Sequence, residues 1–289
     1  MKIVHLTDIH VHVRPRLGDL WNKRLIGSTN LYLLGRERKF SGDSQRAAVV
    51  AAVAETPDVV VISGDLTAQG LDTEFLAARA LLAPILDHFP TVIIPGNHDV
   101  YIREPTPAAT MRRHFGAWMG EGTPSLRSFG SVSFLSLETC RPTLLSSGAL
   151  PRGELARAAS LLDGIDESFV FWVQHYPLLD RKGDPYGPAT RSLANAESVR
   201  EFLKKTNKIG AVLHGHEHHG FTVDIPSGAG PIPILDPGSS GYAWLPDQGR
   251  TAHFNVYEAD QNGILDIQRM RFDGDRFVPE PGGPYATGR

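Results

Sequence analysis

Short apolar runs that end in glycine and polar residues fill the first third of the chain. They read IVHLTD (3–8), PDVVVISGD (57–65) and TVIIPGNHD (91–99). Each is rich in Val and Ile and has the length of a buried strand. Helical patterns lie between them. Ser44 to Glu55 is rich in Ala and Val, with Asp43 or Ser44 as its N-cap. Asp72 to about Leu82 presents Phe75, Leu76, Leu81 and Leu82, and Pro84 is expected to end or kink it. Strand–helix–strand–helix–strand of this spacing predicts adjacent parallel strands joined by right-handed crossovers.

The rest of the chain reads differently. Strands are predicted at 132–138, 168–175 and 209–216, with helices near 153–163 and 196–205. Further strands follow at 221–225, 231–236, 253–259 and 264–272, with hairpin signals at Gln261-Asn262-Gly263 and Asp273-Gly274-Asp275. The expectation is an α/β chain with two sheets, parallel-rich first and more antiparallel later, and helices outside. With 289 residues it is read as a single domain spanning 1–289, with a loosely ordered tail at about 279–289.

One segment fits neither pattern. Residues 13–40 hold seven Lys/Arg against two acids, mixed with bulky apolar side chains such as Leu17, Trp21, Leu25 and Tyr32. So long a connection inside an α/β unit is unusual and often functional. Three readings stay open: a structural excursion, a lid over a site, or a peripheral membrane contact.

The chemistry collects at the predicted strand ends, where ligands gather in open α/β sheets. Those ends supply Asp8 and His10; Asp65; Asn97, His98 and Asp99; and His175. Leu213–Gly220, LHGHEHHG, adds four of the twelve histidines. In an extended segment alternate residues share a face, so His214, His216 and His218 group together, and the residues leave either His214/His216 or His216/His218 as a metal-binding pair. Gly64, Gly96 and Gly215 suit tight turns beside crowded side chains.

Asp8-Ile9-His10, Gly64-Asp65, Gly96-Asn97-His98-Asp99, His175 and Gly215-His216-Glu217-His218, in that order, resemble the calcineurin-like metallophosphoesterase superfamily. The resemblance implies two facing mixed sheets flanked by helices, a four-layer αββα sandwich. It implies two transition-metal ions (Mn, Fe or Zn). One would be held by Asp8, His10, Asp65 and His218, the other by Asp65, Asn97, His175 and His216, with Asp65 shared. It selects His216 and His218 over His214, because a glycine precedes the first liganding histidine. It makes His98 a catalytic group facing the phosphate, with Asp99 a candidate to orient it. The implied reaction is hydrolysis of a phosphodiester or pyrophosphate by attack of a metal-bridging hydroxide, on a small or lipid-linked substrate, cyclic nucleotides included.

A DNA-repair-type nuclease is the alternative enzyme. The formal net charge of −3 and the lack of an evident coiled-coil region argue against it and against nucleic acid as a partner. A metal-free interaction module is a third class; it should show broken ligand positions, and every matched position is intact. Cys140 is the only cysteine, which fits a reducing compartment. The start MKIVHLTDIH lacks the apolar run of a secretory signal, and no run approaches the ~20 residues of a membrane span. A cytoplasmic protein is expected.

Overall fold

The structure is a computed structural model describing residues 1–19, 24, 25, 32, 35–106, 108–143, 145–165 and 169–281. The three apolar runs of the first third form β1 (Lys2–Leu6), β2 (Val59–Ile62) and β3 (Thr91–Ile93), all parallel. Their crossovers are α1 (Gly42–Ala54) and α2 (Asp72–Leu86). Next come α3 (Ala109–Phe115), the hairpin of β4 (Ser125–Phe129) and β5 (Val132–Ser136), α4 (Glu154–Asp163), β6 (Phe169–Val173), α5 (Ala196–Lys205) and β7 (Ile209–Leu213). The chain closes with β8 (His219–Ile225), β9 (Ile232–Gly238), β10 (His253–Asp260), β11 (Gly263–Phe272) and β12 (Phe277–Pro279).

Two mixed six-stranded sheets result, ordered β12-β11-β10-β1-β2-β3 and β4-β5-β6-β7-β9-β8. Strand periodicity explains why they face each other. Odd-numbered Ile3, Val59 and Val61 of the first sheet share a buried cluster with Phe134, Phe171, Val173 and Leu213 of the second. Even-numbered Val4, Leu6, Val60 and Ile62 belong to the outer cluster with helix residues such as Ala52, Phe75 and Leu82. The β-strand's two-residue repeat thus gives each central strand two apolar faces, one for the opposite sheet and one for helices. The layers are α, β, β, α.

The sheets do not divide the chain in sequence order. The antiparallel C-terminal strands β10–β12 join the first sheet, through β1–β10 pairing such as Val4 with Val256. The core of the second sheet, β5-β6-β7-β9, is parallel. Local pattern cannot reveal a pairing between residues so distant in the chain.

Helix ends differ from expectation in two places. The N-cap of α1 is Ser41, whose Oγ accepts from the Asp43 N–H at 3.2 Å, and not Asp43 or Ser44. Pro84 does not end α2; it lies inside the helix, which runs on to Leu86. In the first turn of α2, Glu74 Oε2 accepts from the N–H of Leu71 (3.1 Å) and of Gln69 (2.9 Å). Burial nevertheless pushes the Glu74 carboxyl from 4.5 up to about 7. A carboxyl whose folded pKa is raised contributes stability below its unfolded pKa and loses it as pH rises through the folded value. Glu74→Gln should therefore gain stability relative to the parent between pH 5 and 8, approaching roughly 3 kcal/mol, measured by urea unfolding at several pH values.

Residues 20–23, 26–31, 33 and 34 of the excursion expected at 13–40 lie outside the described residues, as do 282–289 of the tail, so the lid and membrane readings gain nothing here. One described part bonds to the rest of the fold and another within the segment. Arg24 donates to the carbonyls of Gln69 (3.3 Å) and Gly70 (2.6 Å), and the Tyr32 hydroxyl donates to the Val13 carbonyl (2.9 Å). No helix among the described residues is long and apolar enough to cross a membrane.

Candidate metal centre

The carboxyl ends of β1, β2, β3, β6 and β7 emerge on one edge of the sandwich, and backbone bonds tie their loops together. Asp8 N donates to Gly64 O (3.0 Å), His10 N to Asp65 O (3.0 Å) and Gly215 N to His175 O (3.2 Å). Asp8, His10, Asp65, Asn97, His175 and His216 are buried, and His218 is half-buried. These loops bend hard. Seven described non-glycine residues have positive φ, and five of them are Asp8, His10, Asp65, His216 and His218. Such backbone is costly for side chains with a Cβ, and it persists where the surroundings enforce it.

The side chains form two adjoining groups. In the first, the ligand atoms of Asp8, His10, Asp65 and His218 all lie within 4.8 Å of one another. Asp8 Oδ1 is 3.1 Å from His218 Nε2 and 3.6 Å from His10 Nε2. In the second, Asn97 Oδ1 is 3.2 Å from His175 Nε2 and 2.9 Å from His216 Nδ1. Asp65 Oδ2 stands between them, 3.6 Å from His10 Nε2 and 3.5 Å from His175 Nε2.

Several observations test whether these residues fit a cation. Asp8 Oδ1 is buried with no hydrogen-bond partner. His10 Nε2 and His218 Nε2 face each other at 3.0 Å. Two neutral imidazoles cannot both turn lone pairs on each other, so a proton or a cation must lie between. The orientation of the rest is fixed from behind. Asp8 Oδ2 accepts from Thr7 Oγ1 and from His216 N, both at 2.8 Å, which aims Oδ1 inward. His175 Nδ1 donates to the Ser63 carbonyl at 2.9 Å, which leaves Nε2 as the ligating nitrogen. Imidazole, carboxylate and amide oxygen together suit Mn, Fe or Zn. The residues fit.

Electrostatics agrees. Burial pushes Asp65 up, but the nearby histidines, His175 first, outweigh it and hold the carboxyl below its usual range. Burial likewise pulls His175 down, while the Asp65 charge lifts it to about 9. Asp8 is also held low against its burial, chiefly by His218. Anionic carboxylates ringed by nitrogens that compete for protons are a cation site in which protons stand in for metal.

Gly96 and Gly215 are packed against ligands. A Cβ on Gly96 would collide with the backbone N and carboxylate of Asp65, and one on Gly215 with Thr7 and Asp8. Gly96→Ala should weaken Mn(II) binding at least about tenfold and cost roughly 1–3 kcal/mol of stability, checked by metal titration and denaturation.

One expectation changes. Asp99 is a candidate to orient His98 or to hold a turn. Its carboxylate accepts from Leu66 N, Thr67 N, Gly96 N and Thr67 Oγ1 at 2.8–3.1 Å, bracing the loops after β2 and β3. His98 Nδ1 donates to the Ala68 carbonyl at 2.6 Å, and His98 N donates to Asp65 Oδ1 at 2.7 Å. His214 is buried outside the cluster, its Nδ1 2.9 Å from Gly215 O and 3.5 Å from Asp236 Oδ2.

Other side chains join the site. Phe40, the last residue of the 13–40 excursion, is buried with its ring 4.3 Å from that of His10 and 5.5 Å from that of His218. Tyr176 is 4.8 Å from the His216 ring. Tyr186 donates its hydroxyl to Glu217, the residue between the two histidines, and Arg191 lies 3.7 Å from the same carboxylate. Ser239 Oγ donates to the Asp8 carbonyl at 2.6 Å, and Ser240 Oγ accepts from Thr7 N at 3.1 Å. Both serines stood in DPGSSGY, near the site only once β9 is placed beside β7.

The model of the calcineurin-like phosphoesterase family matches residues 1–220. The chain belongs to that family. All of the clustered residues fall within the match. A probable cyclic nucleotide phosphodiesterase from Vesicomyosocius okutanii is 27% identical over 161 residues, covering 56% of this chain and 62% of that relative. A glycerophosphodiester phosphodiesterase, GpdQ, from Enterobacter lignolyticus is 28% identical over 99 residues, 34% of this chain and 30% of that one. The alignments therefore span under two thirds of these curated relatives. Among solved structures, a dimetal phosphatase from Danio rerio superposes with TM-score 0.59 at 14% identity, covering 96% of this chain and 98% of that chain. A purple acid phosphatase from yellow lupin gives 0.63 at 13% identity, covering 96% and 52%. These two likenesses speak to the fold. Within that family match, Asp8, His10, Asp65 and His218 form a group that could hold a metal ion.

Proposed function

We propose that the protein is a phosphodiesterase that works with two transition-metal cations, on a small or lipid-linked phosphodiester or pyrophosphate, in the cytoplasm. The observation that carries this is the position of Asp65 Oδ2, within 3.6 Å of a histidine nitrogen from each group. Two dications repel each other, and a shared carboxylate between them lowers that repulsion. When bound, such a pair polarises phosphoryl oxygens and makes a water acidic enough to attack at neutral pH.

The chain's own residues do the rest. Asp8, His10 and His218 with Asp65 would hold one cation. Asn97, His175 and His216 with Asp65 would hold the other. His98 is assigned to the leaving group: its Nδ1–H is committed to Ala68 O, so Nε2 is the atom that would carry a proton to the departing oxygen. Phe40 and Tyr176 wall the site and limit water. The names of the sequence relatives support a diester over a monoester.

The test is a panel with Mn(II): bis(p-nitrophenyl) phosphate, p-nitrophenyl phosphate, a cyclic nucleotide and single-stranded DNA. The expected result is hydrolysis of the diester with kcat/KM at least about tenfold above the monoester, lost on chelation and restored by Mn(II). No metal-dependent turnover of any of them, or a preference for the monoester or DNA, would count against the reading.

A further inference from the structure

A cleft of about 880 Å³ opens beside the metal centre, sharing His218 with it. Five lysine and arginine side chains line it: Arg181, Lys182, Arg250, Arg269 and Arg271. Apart from Arg269, none of them has a carboxylate partner among the described residues. The one acid on the wall, Glu280, is engaged by Arg269 at 3.0 Å and His253 at 3.5 Å. Arg271 Nε is buried with no hydrogen-bond partner.

Arg250 Nη1 donates to the Tyr242 hydroxyl at 3.0 Å. Arg181 and Lys182 sit on a turn closed by Asp180, whose Oδ1 accepts from Lys182 N (2.8 Å) and Asp184 N (3.0 Å). The cleft also has a flat apolar surface. Trp244 is 47% exposed, and its indole rests on Gly274, where a Cβ would come within 2.8 Å of the ring. An aromatic side chain seated on one face and open to solvent is a stacking platform for a planar ring.

Uncompensated cations beside an exposed aromatic ring, at the edge of a phosphoryl site, recognise an anion joined to a flat ring. We propose that this cleft binds the part of the substrate beyond the scissile bond, and that this part carries a second phosphate and a nucleobase. The inference rests on the reading of the metal centre as a phosphodiesterase site, with the scissile phosphoryl beside His218 and the remainder running toward Trp244. It favours nucleotides with two phosphates, such as dinucleotide pyrophosphates, over cyclic mononucleotides, whose single phosphate would occupy the metal centre and leave Arg181 and Lys182 unpaired.

The test uses chelator-treated full-length protein, so that it does not depend on metal-driven turnover. ADP, adenosine and inorganic pyrophosphate are titrated by calorimetry. The expected result is that ADP binds at least tenfold more tightly than either fragment. R181A/K182A should weaken ADP at least tenfold, and W244A should weaken ADP and adenosine but not pyrophosphate. R181Q/K182Q, with melting temperatures recorded alongside, repeats the arm should the alanine pair melt early. Equal binding of ADP and its fragments, or ADP binding that survives both double variants, would overturn the proposal. A protein that binds ADP in this way yet hydrolyses no diester with Mn(II) would uphold the cleft and remove the reading of the centre.

Discussion

Asp65→Ala lowers kcat/KM for bis(p-nitrophenyl) phosphate at least about a thousandfold, some 4 kcal/mol of barrier, and the purified variant carries little metal. The expectation follows from what each Asp65 oxygen does. Oδ2 lies between His10 Nε2 and His175 Nε2, so both groups of donors lose their common anion. Oδ1 accepts from the His98 backbone at 2.7 Å, so the loop bearing His98 also loses an anchor. Asp65→Asn separates the two effects. Its amide oxygen can keep the bond to His98 N, while the charge is gone. Metal content should fall in Asp65→Asn nearly as far as in Asp65→Ala, while its melting temperature stays closer to the parent. Full metal content with full turnover in either variant, measured by elemental analysis and steady-state kinetics, would remove Asp65 from the centre.

His98→Ala should behave in the opposite way: metal retained, chemistry slowed. His98 contributes a ring edge-on to His10 at 4.9 Å and stacked at 5.7 Å on Tyr101. The backbone N that binds Asp65 survives the substitution. Losing a general acid costs roughly 10²–10³ in kcat. The loss should depend on the leaving group. A p-nitrophenolate departs without much help, whereas a phenyl or alkyl oxygen needs a proton. His98→Ala is therefore expected to be several-fold more damaging on a diphenyl than on a bis(p-nitrophenyl) diester. Equal losses on both substrates would argue for a binding role only.

How much of this was legible beforehand depended on the range of the interaction. Central strands such as Val59–Ile62 announce themselves by composition, and the polar residues at their ends by contrast with it. Seven residues named from that contrast and from the family motif do converge. Chain-distant pairing was not legible: β10 beside β1 reassigns the antiparallel end of the chain to the first sheet. Asp99 shows a second limit. A motif records which residue recurs, and not which neighbour its side chain finds; here the neighbours are backbone N–H groups of the loops after β2 and β3. Phe40 shows a third. It is one apolar residue among many in 13–40, and only the bridge of Phe40 to Tyr242 brings it against His10 and His218. The backbone strain at Asp8, His10, Asp65, His216 and His218 leaves only a weak trace in residue type, since none of the five is glycine and Asp and His are merely enriched at positive φ.

The most direct measurement is electron paramagnetic resonance of protein titrated with Mn(II), read together with the metal-to-chain ratio. A carboxylate shared between two cations predicts that two Mn(II) bind per chain and that their spectrum is that of an exchange-coupled pair. One Mn(II) per chain, or two that give independent mononuclear signals, would contradict a centre built around Asp65.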